Sequence, residues 1–536
     1  MLKILLKSRL LSLWASLSKN GSKKKKGIGG AALGVVFAIL GVYMVSVFSF
    51  LFYGMSINLK GSGEEWAVIT LAAIVASSFC LIGSIFTTKT QIFESRDNDL
   101  LLSMPIKPKY ILASRILVLL VINFGLESIV MLPCLVTYGI VCGYSLVGFI
   151  FAVLAYLLIP FLVLAVSAIL AWIISYISSK LKNKNLVTTV LYLIFFGAYM
   201  YFCFGISNDE MMNINVDAFR NTFIFYYVGN GIANDNALHF LYFALSAIIP
   251  SALTFILISR SFIKIITTKK ATIKIEYKEA SQKTSTPFVA LVKKELRRFF
   301  SMSMYILNSG IGVIMLLIIS VLASTKAPNI LSAIEAQFTN PTQAVPIDLV
   351  KGLIPVLIAV AATFILSTCM VSTPSISLES KSLWILHSLP VNPSEILFAK
   401  ITTHIIICAP VSIISVIIPC IAFKVSALNA VLVIIAVISM CCFTAYFGMY
   451  LGLKYPKFDW INETVAVKQG LAVFGSMFGS MLYALVLSFI GFIVGAINPS
   501  LGIVAIIIPS VVLCTLLHLY FKNKASKDFE KLKEKQ

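Results

Sequence analysis

Twelve long apolar runs occupy most of the chain and are separated by shorter polar stretches. A helix needs about 20 apolar residues to cross the hydrocarbon core of a bilayer, so runs of this length predict membrane-spanning helices. The fold class we expect is an all-α polytopic membrane protein with about twelve transmembrane helices. The predicted spans are 30–54, 66–88, 116–142, 146–177, 187–206, 239–263, 304–323, 352–373, 401–423, 426–453, 469–496 and 499–521.

The composition agrees with this prediction. Hydrophobic residues make up 59% of the 536 residues and charged residues only 12%, and the mean hydropathy is +0.96. A soluble chain of this length cannot bury so large an apolar share in cores of ordinary size.

The distribution of positive charge predicts the orientation, because cytoplasmic loops accumulate Lys and Arg. With the amino terminus inside, the predicted cytoplasmic segments hold 38 of the 43 basic residues, and both termini are expected in the cytoplasm. Anionic membrane lipid then accounts for the net charge of +21. No nucleic-acid partner is expected, because the basic residues do not gather in one folded domain. The basic residues outside these segments are Lys60, Arg220, Lys326, Lys351 and Lys424.

One sequence motif occurs twice, each time after the second predicted span of a half. "FESRDNDLLLSMPIKPKYILASRI" covers 93–116 and "LESKSLWILHSLPVNPSEILFAKI" covers 378–401, and the two align without a gap at an offset of 285 residues. Two amphipathic segments, "LLKSRLLSLWASLS" from Leu5 and "LVKKELRRFFSMSM" from Leu291, precede the first and seventh spans and predict interfacial helices. The sequence therefore indicates a tandem duplication.

The duplication predicts two parallel-repeat halves of six spans. Six spans separate the two motifs, so both face the cytoplasm and the halves are related by a pseudo-twofold axis along the membrane normal. The predicted parts are the first half at 1–263 with an interfacial helix at 1–20, a basic cytoplasmic linker at 264–287, the second half at 288–521 with an interfacial helix at 288–303, and a charged cytoplasmic tail at 522–536.

Each motif predicts a short helix joined by a stiff elbow to the next span. Apolar residues at i, i+1 and i+4 form a stripe on the short helix, and a proline then ends it. A second proline suits the first turn of the following helix, and Asn392 with Glu395 has the pattern of a capping box. Such a joint suits docking of a cytosolic partner, and the alternative is a helix resting on lipid headgroups. The stripes are Leu100, Leu101 and Met104 in the first copy and Ile385, Leu386 and Leu389 in the second.

These features resemble the membrane subunits of ABC exporters of the type-2 class, specifically the long bacterial permeases in which two six-span halves are fused. The resemblance rests on the two motifs, the interfacial helices and "KYPKFDWINETVAVKQG" after the tenth span. It implies a bacterial plasma-membrane permease whose motifs are coupling helices, at Glu94 to Met104 and Glu379 to Leu389, that dock ATP-binding subunits. The docking residues it implies are Glu94, Ser95, Arg96, Leu100, Leu101, Met104, Pro105, Pro108, Glu379, Ser380, Lys381, Trp384, Leu386, Leu389, Pro390 and Pro393.

The chain carries no phosphate-binding loop of the G-x-x-x-x-G-K-[ST] type. ATP and magnesium are therefore expected on a separate ATPase, in two copies, and this chain is expected to be a transport subunit and not an enzyme. The ten cysteines show no C-x-x-C pair, and no catalytic, cofactor or metal site is expected. The exported substrate stays open among peptide, antibiotic, lipid and lipid-linked glycan.

One acidic residue, Glu127, lies well inside a predicted span, with Asn123 one turn earlier on the same face. An intramembrane carboxyl is a candidate site for a substrate cation or a proton, and the alternative is a structural, hydrogen-bonded Glu, since the second half has Ser412 at the equivalent position. Glu127 also supports an alternative function, an ion-coupled secondary transporter. A membrane-embedded enzyme would need clustered His, Asp, Glu or Cys residues, and the sequence shows none.

Overall fold

A computed structural model of the chain describes residues 4–9, 11, 28–93, 98–180, 189–191, 194, 197, 220, 224–267, 285–338, 347–458, 460, 463–468 and 470–532. Within these residues the regular structure is helical, with no strand, as the apolar runs predict. The chain forms two compact units. The first comprises residues 1–184 and 206–274, and the second comprises residues 185–205 and 275–536.

The described residues of the first unit form seven helices, and residues 4–9 near the amino terminus are also helical. Its core lies between the long helices, where small residues permit close packing. The helices are α1 (Ile28–Leu59), α2 (Trp66–Ile92), α3 (Asn98–Ser103), α4 (Pro108–Val141), α5 (Leu146–Lys180), α6 (Ile224–Ala233) and α7 (Ala237–Thr267).

The second unit has its own core, built mainly from its spanning helices. Its helices are α8 (Pro287–Ser301), α9 (Ser303–Ser309), α10 (Ile311–Thr325), α11 (Ala327–Phe338), α12 (Ile347–Leu366), α13 (Leu383–Ser388), α14 (Pro393–Ala422), α15 (Ala427–Lys454), α16 (Glu463–Lys468), α17 (Leu471–Ile497), α18 (Pro499–Asn523) and α19 (Ala525–Glu530).

Among the described residues, seven helices are long and apolar enough to cross a membrane, and shorter apolar helices accompany them. Helices α9 and α10, which are bent by 58° relative to each other, are long and apolar enough together to make an eighth if the pair forms one span. The bend lies at Gly310, as expected for a residue that weakens a helix. The predicted span at 187–206 lies mostly outside the described residues.

The eighth predicted span is shorter than the sequence suggests. We expected it at 352–373, whereas α12 ends at Leu366. The helix ends in i→i−3 hydrogen bonds, from the Thr368 N–H to Ile365 O and from the Cys369 N–H to Leu366 O, and Pro374 lies further along, in the short 3-10 turn Thr373–Ser375. The first half has Lys89 at the equivalent position, and there α2 continues to Ile92.

Candidate docking helices and intramembrane polar sites

The first motif copy folds as the predicted short helix, α3. Leu101 points into the protein and packs with Ile92 and Leu112 in one buried cluster. Leu100 and Met104 are 61% and 42% exposed. Of the predicted apolar stripe, Leu101 is therefore buried, whereas Leu100 and Met104 lie on the outer surface. Glu94, Ser95 and Arg96 lie outside the described residues.

The second copy repeats this arrangement in α13. Leu386 is only 2% exposed and joins a buried cluster with Leu383. Trp384, Ile385 and Leu389 are 63%, 46% and 39% exposed. The two copies thus expose apolar side chains at equivalent positions, which costs free energy in water unless a membrane or a partner covers them.

The elbows that follow the two helices are also alike. The Ile106 N–H donates to Met104 O at 2.7 Å, and the Val391 N–H donates to Leu389 O at 2.8 Å. Pro105 and Pro390 are both exposed. The next helix begins at the second proline in each copy, Pro108 and Pro393, as the sequence predicts.

One detail of the elbow prediction is wrong. The Asn392 side chain makes no capping hydrogen bond. Its backbone angles, φ −59° and ψ 132°, nearly equal those of Lys107, φ −61° and ψ 128°. The extended backbone before a proline therefore sets the elbow without a side-chain cap.

The polar start of the second motif lies inside the protein. Glu379 and Ser380 are 2% and 7% exposed. The Ser380 hydroxyl donates to Phe458 O at 2.8 Å. In this arrangement these two residues contact their own chain, and the apolar residues of α13 form the outer surface.

Glu379 is the centre of a cluster of five charged residues, which we call the ion cluster: Glu295, Lys294, Arg298, Glu379 and Lys400. Lys400 Nζ lies 3.0 Å from Glu379 Oε1 and 2.8 Å from Glu295 Oε1. Lys294 Nζ lies 2.9 Å from Glu379 Oε1, and Arg298 Nη2 donates to Glu379 Oε2 at 2.9 Å. The ion cluster thereby joins the interfacial helix α8, the motif and the spanning helix α14.

The electrostatics of the ion cluster keep Glu379 charged. Burial alone would raise the pKa of Glu379, but Lys400, Arg298 and Lys294 outweigh it and hold that pKa well below its ordinary value. Burial would likewise lower the pKa of Arg298, but the hydrogen bond and charge of Glu379 raise it. Two carboxylates face three cations, so losing either carboxylate would leave buried positive charge without a partner.

The loop after α15 contacts the same motif. Trp460 Nε1 donates to Ser377 O at 2.8 Å, and the Lys457 N–H donates to Ser377 Oγ at 3.0 Å. Residues 371–380, between α12 and α13, are all buried. The segment "KYPKFDW" that we singled out in the sequence therefore supports the second docking helix from its own chain.

The carboxyl-terminal helix α19 also packs against the motif. Phe529 is fully buried, and its ring centroid lies 4.6 Å from that of His387 on α13. Ser526 Oγ lies 2.6 Å from Ser394 Oγ at the start of α14. We predicted only a charged tail at 522–536, and the missed signal is the spacing of Ala525, Phe529 and Leu532, which places three apolar residues on one face.

His404 lies on α14 and contacts two other segments of the second unit. It is fully buried, and its Nδ1 accepts a hydrogen bond from the Ser372 N–H at 3.2 Å. Its Nε2 lies 3.4 Å from Thr444 Oγ1. His404 therefore helps to hold the irregular segment that follows α12.

Glu127 and Asn123 lie on α4 in the first unit, and both are fully buried. Neither carboxylate oxygen of Glu127 and neither amide atom of Asn123 has a hydrogen-bond partner among the described residues. The structure therefore brings the predicted pair together without showing the hydrogen-bonded arrangement that a structural Glu would have.

The chain matches a protein family described as membrane proteins with twelve transmembrane segments over residues 33–522, and it belongs to that family. Neither the search of curated proteins nor that of solved structures gave a match. Family membership shows a polytopic membrane protein and agrees with the twelve predicted spans.

Proposed function

We propose that this chain is the membrane subunit of an ATP-driven exporter of the ABC type-2 class, acting in a bacterial plasma membrane with both termini in the cytoplasm. Separate ATP-binding subunits, one under each motif, would carry ATP and magnesium. The chain itself would hold no cofactor and catalyse no reaction. The observation that carries the proposal is that α3 and α13 present equivalent exposed apolar residues, each beside a proline elbow and a long apolar helix.

The surface offered by α13 suits a protein partner better than a lipid headgroup layer. Trp384, Ile385 and Leu389 are exposed on one short helix, and an aromatic residue flanked by aliphatic ones is typical of the centre of a protein interface. Leu386 is anchored in the core beneath them. A force applied by a partner to the exposed face of α13 would therefore be transmitted to α14 through the proline elbow and through the packing of Leu386.

The ion cluster supports the same function. It ties the motif to α8 on one side and to α14 on the other through contacts of 2.7 to 3.0 Å. A buried set of charged contacts resists separation, because exposing one partner alone leaves an unpaired charge. Movement of a docked ATPase would thus displace the interfacial helix, the motif and the span together.

Co-purification tests this proposal. We expect an ATP-binding subunit at about two copies to accompany the wild-type chain from its native membrane in mild detergent. Leu100→Asp with Met104→Asp, and Trp384→Asp with Ile385→Asp, should each remove about one copy, and the four together should remove both. Leu101 and Leu386 are unsuitable targets, because both are core residues.

Lys531→Asp is the matched control, because Lys531 is 69% exposed and lies in the tail, and this variant should keep both subunits. The proposal fails if the wild-type chain carries no ATP-binding subunit, or if the four-residue variant retains both copies.

A second candidate function rests on Glu127, whose buried carboxylate has no partner among the described residues. It is an ion-coupled secondary transporter, in which that carboxyl carries the coupling ion. Transport that continues after loss of every associated ATPase would favour this candidate over the exporter.

A further inference from the structure

Four buried polar residues of the first unit, on the packed helices α2 and α4, have side chains without hydrogen-bond partners among the described residues. Glu127 and Asn123 lie on α4, and Ser77 and Ser84 lie on α2. All are buried, and none of their side-chain oxygen or nitrogen atoms has a hydrogen-bond partner in the described part of the chain. Such groups are rare in folded proteins and call for an explanation.

Two contacts show which residues of α2 and α4 lie side by side. The Cys80 thiol donates to Asn123 O at 3.4 Å, and Cys134 Sγ lies 3.9 Å from Val68 O. These pairs run in opposite directions along the chain, so α2 and α4 are antiparallel. Ser77 therefore lies close to the level of Glu127, and Ser84 lies about two turns further along α2 on the same face as Cys80.

Among the described residues, no basic side chain pairs with Glu127. The nearest basic residue on its own helix, Arg115, lies twelve residues away, about 18 Å along the axis, and Arg115 Nη1 already donates to Ile92 O. Helix α1 carries no acidic or basic residue. The other titratable groups at this level are Cys80 on α2 and Tyr156 on α5, and Tyr156 OH lies 2.7 Å from Ser128 Oγ. An ionised carboxylate here would thus be buried without a counter-ion among the described residues, which is strongly unfavourable.

The packing favours a proton over a metal ion as the neutralising charge. Helices α2 and α4 are continuous at this level, so their carbonyl groups are engaged within the helices, apart from Ile129 O, to which Pro133 has no N–H to donate. The described residues contain no group of three or more His, Cys, Asp or Glu that could hold a metal. A proton needs no extra space, and it turns the carboxyl into a donor, for which Asn123 Oδ1 on the same helix face and the Ser77 hydroxyl at a similar level on α2 are candidate acceptors.

We propose that Glu127 is a proton-binding site in the membrane, with Asn123 and Ser77 as the hydrogen-bond partners of the protonated carboxyl group. The bound proton exchanges with solvent. This proposal is independent of ATPase docking, so either can fail while the other holds.

The internal repeat provides a contrast. Ser412 occupies the position equivalent to Glu127, and its hydroxyl donates to Cys408 O at 2.9 Å. Cys408 itself occupies the position equivalent to Asn123. The second unit therefore lacks both members of the pair at the equivalent positions, and the site is not repeated there.

Infrared spectroscopy of the purified full chain in lipid tests the proposal directly. At pH 7 we expect one carboxylic-acid carbonyl band that is lost in Glu127→Gln, retained but shifted in Glu127→Asp, and shifted again in Asn123→Leu. Transfer to D₂O should lower the frequency of the band, because the site exchanges its proton.

Glu395→Gln is the matched control, because Glu395 is an exposed acid in the first turn of α14 and its removal should leave the band unchanged. The Gln variant replaces an acid by a neutral group of the same shape, so it should fold, and its melting temperature checks this. Absence of a Glu127-dependent acid band at pH 7 would overturn the proposal, and so would a band that stays unshifted in D₂O over many hours.

Discussion

Replacing Glu379 by Gln should destabilise the second unit strongly. The substitution removes the negative charge shared by Lys294, Arg298 and Lys400 and leaves three cations facing Glu295 alone. The side chains of Lys400 and Arg298 are only 1% and 19% exposed. Loss of their contacts with Glu379 should therefore account for most of the decrease in the free energy of unfolding. Lys294 is 41% exposed, and water screens its contribution.

The expected size follows from the burial of the contacts. Breaking a buried ion pair by removing one partner costs about 3–5 kcal/mol, and the exposed Lys294 contact adds at most about 1 kcal/mol. At about 2–4 °C per kcal/mol, this lowers the midpoint of thermal unfolding in detergent by roughly 10 °C. The double variant Glu379→Gln with Lys400→Met should recover part of the loss, because it removes the most deeply buried of three cations that face one acid, while Glu295 keeps Lys294 and Arg298 at 3.8 and 3.9 Å.

The assay is thermal unfolding of the purified chain, followed by tryptophan fluorescence. Glu395→Gln is the control, since an exposed acid should change stability by no more than about 0.5 kcal/mol. The reasoning would be refuted if Glu379→Gln melted within 2 °C of the wild type, or if adding Lys400→Met made the protein less stable still.

Three further predictions follow from single contacts. Because the pKa of Glu379 is lower in the folded protein than its unfolded value of about 4.5, the ionised carboxylate contributes stability that is fully present above pH 4.5 and is lost as the pH falls below it. Acidification below that pH should therefore destabilise the wild type more steeply than Glu379→Gln, and melting curves at several pH values measure this difference. Gly452→Ala would place a Cβ atom 2.4 Å from Thr373 O and should destabilise the second unit, whereas Gly475→Ala, at 3.5 Å from a Leu451 methyl group, should be nearly neutral by thermal melting. Phe529→Ala should cost about 3–5 kcal/mol and increase proteolysis between α13 and α14, with Lys531→Ala as an unaffected control in the same digestion.

Local patterns predicted much of this fold. Runs of about 20 apolar residues predicted the long helices, because the bilayer fixes the length that a span needs. The prolines predicted where α4 and α14 begin, since the proline ring restricts its own φ angle and the backbone before it. The match between the two motif copies likewise predicted that Leu100 and Ile385 would have equivalent surroundings.

Contacts between distant segments could not be predicted in this way. The ion cluster joins residues separated by up to 105 positions, and nothing in the local sequence around Glu379 indicates which cations it meets. Phe458 and Phe529 also contact the second motif, although spanning helices separate both residues from it in the sequence. The split of the apolar stripe into anchor and surface also depends on which neighbours fill the space beneath α3 and α13.

The assembly state of the chain tests the central claim most directly. Native mass spectrometry of the complex released from the native membrane should show one 58.7 kDa chain with two copies of an ATP-binding subunit, and the complex should dissociate when the exposed residues of α3 and α13 are changed to Asp. A chain that leaves the membrane without any ATP-binding subunit, at the mass of the chain alone or of its own oligomer, would contradict the account.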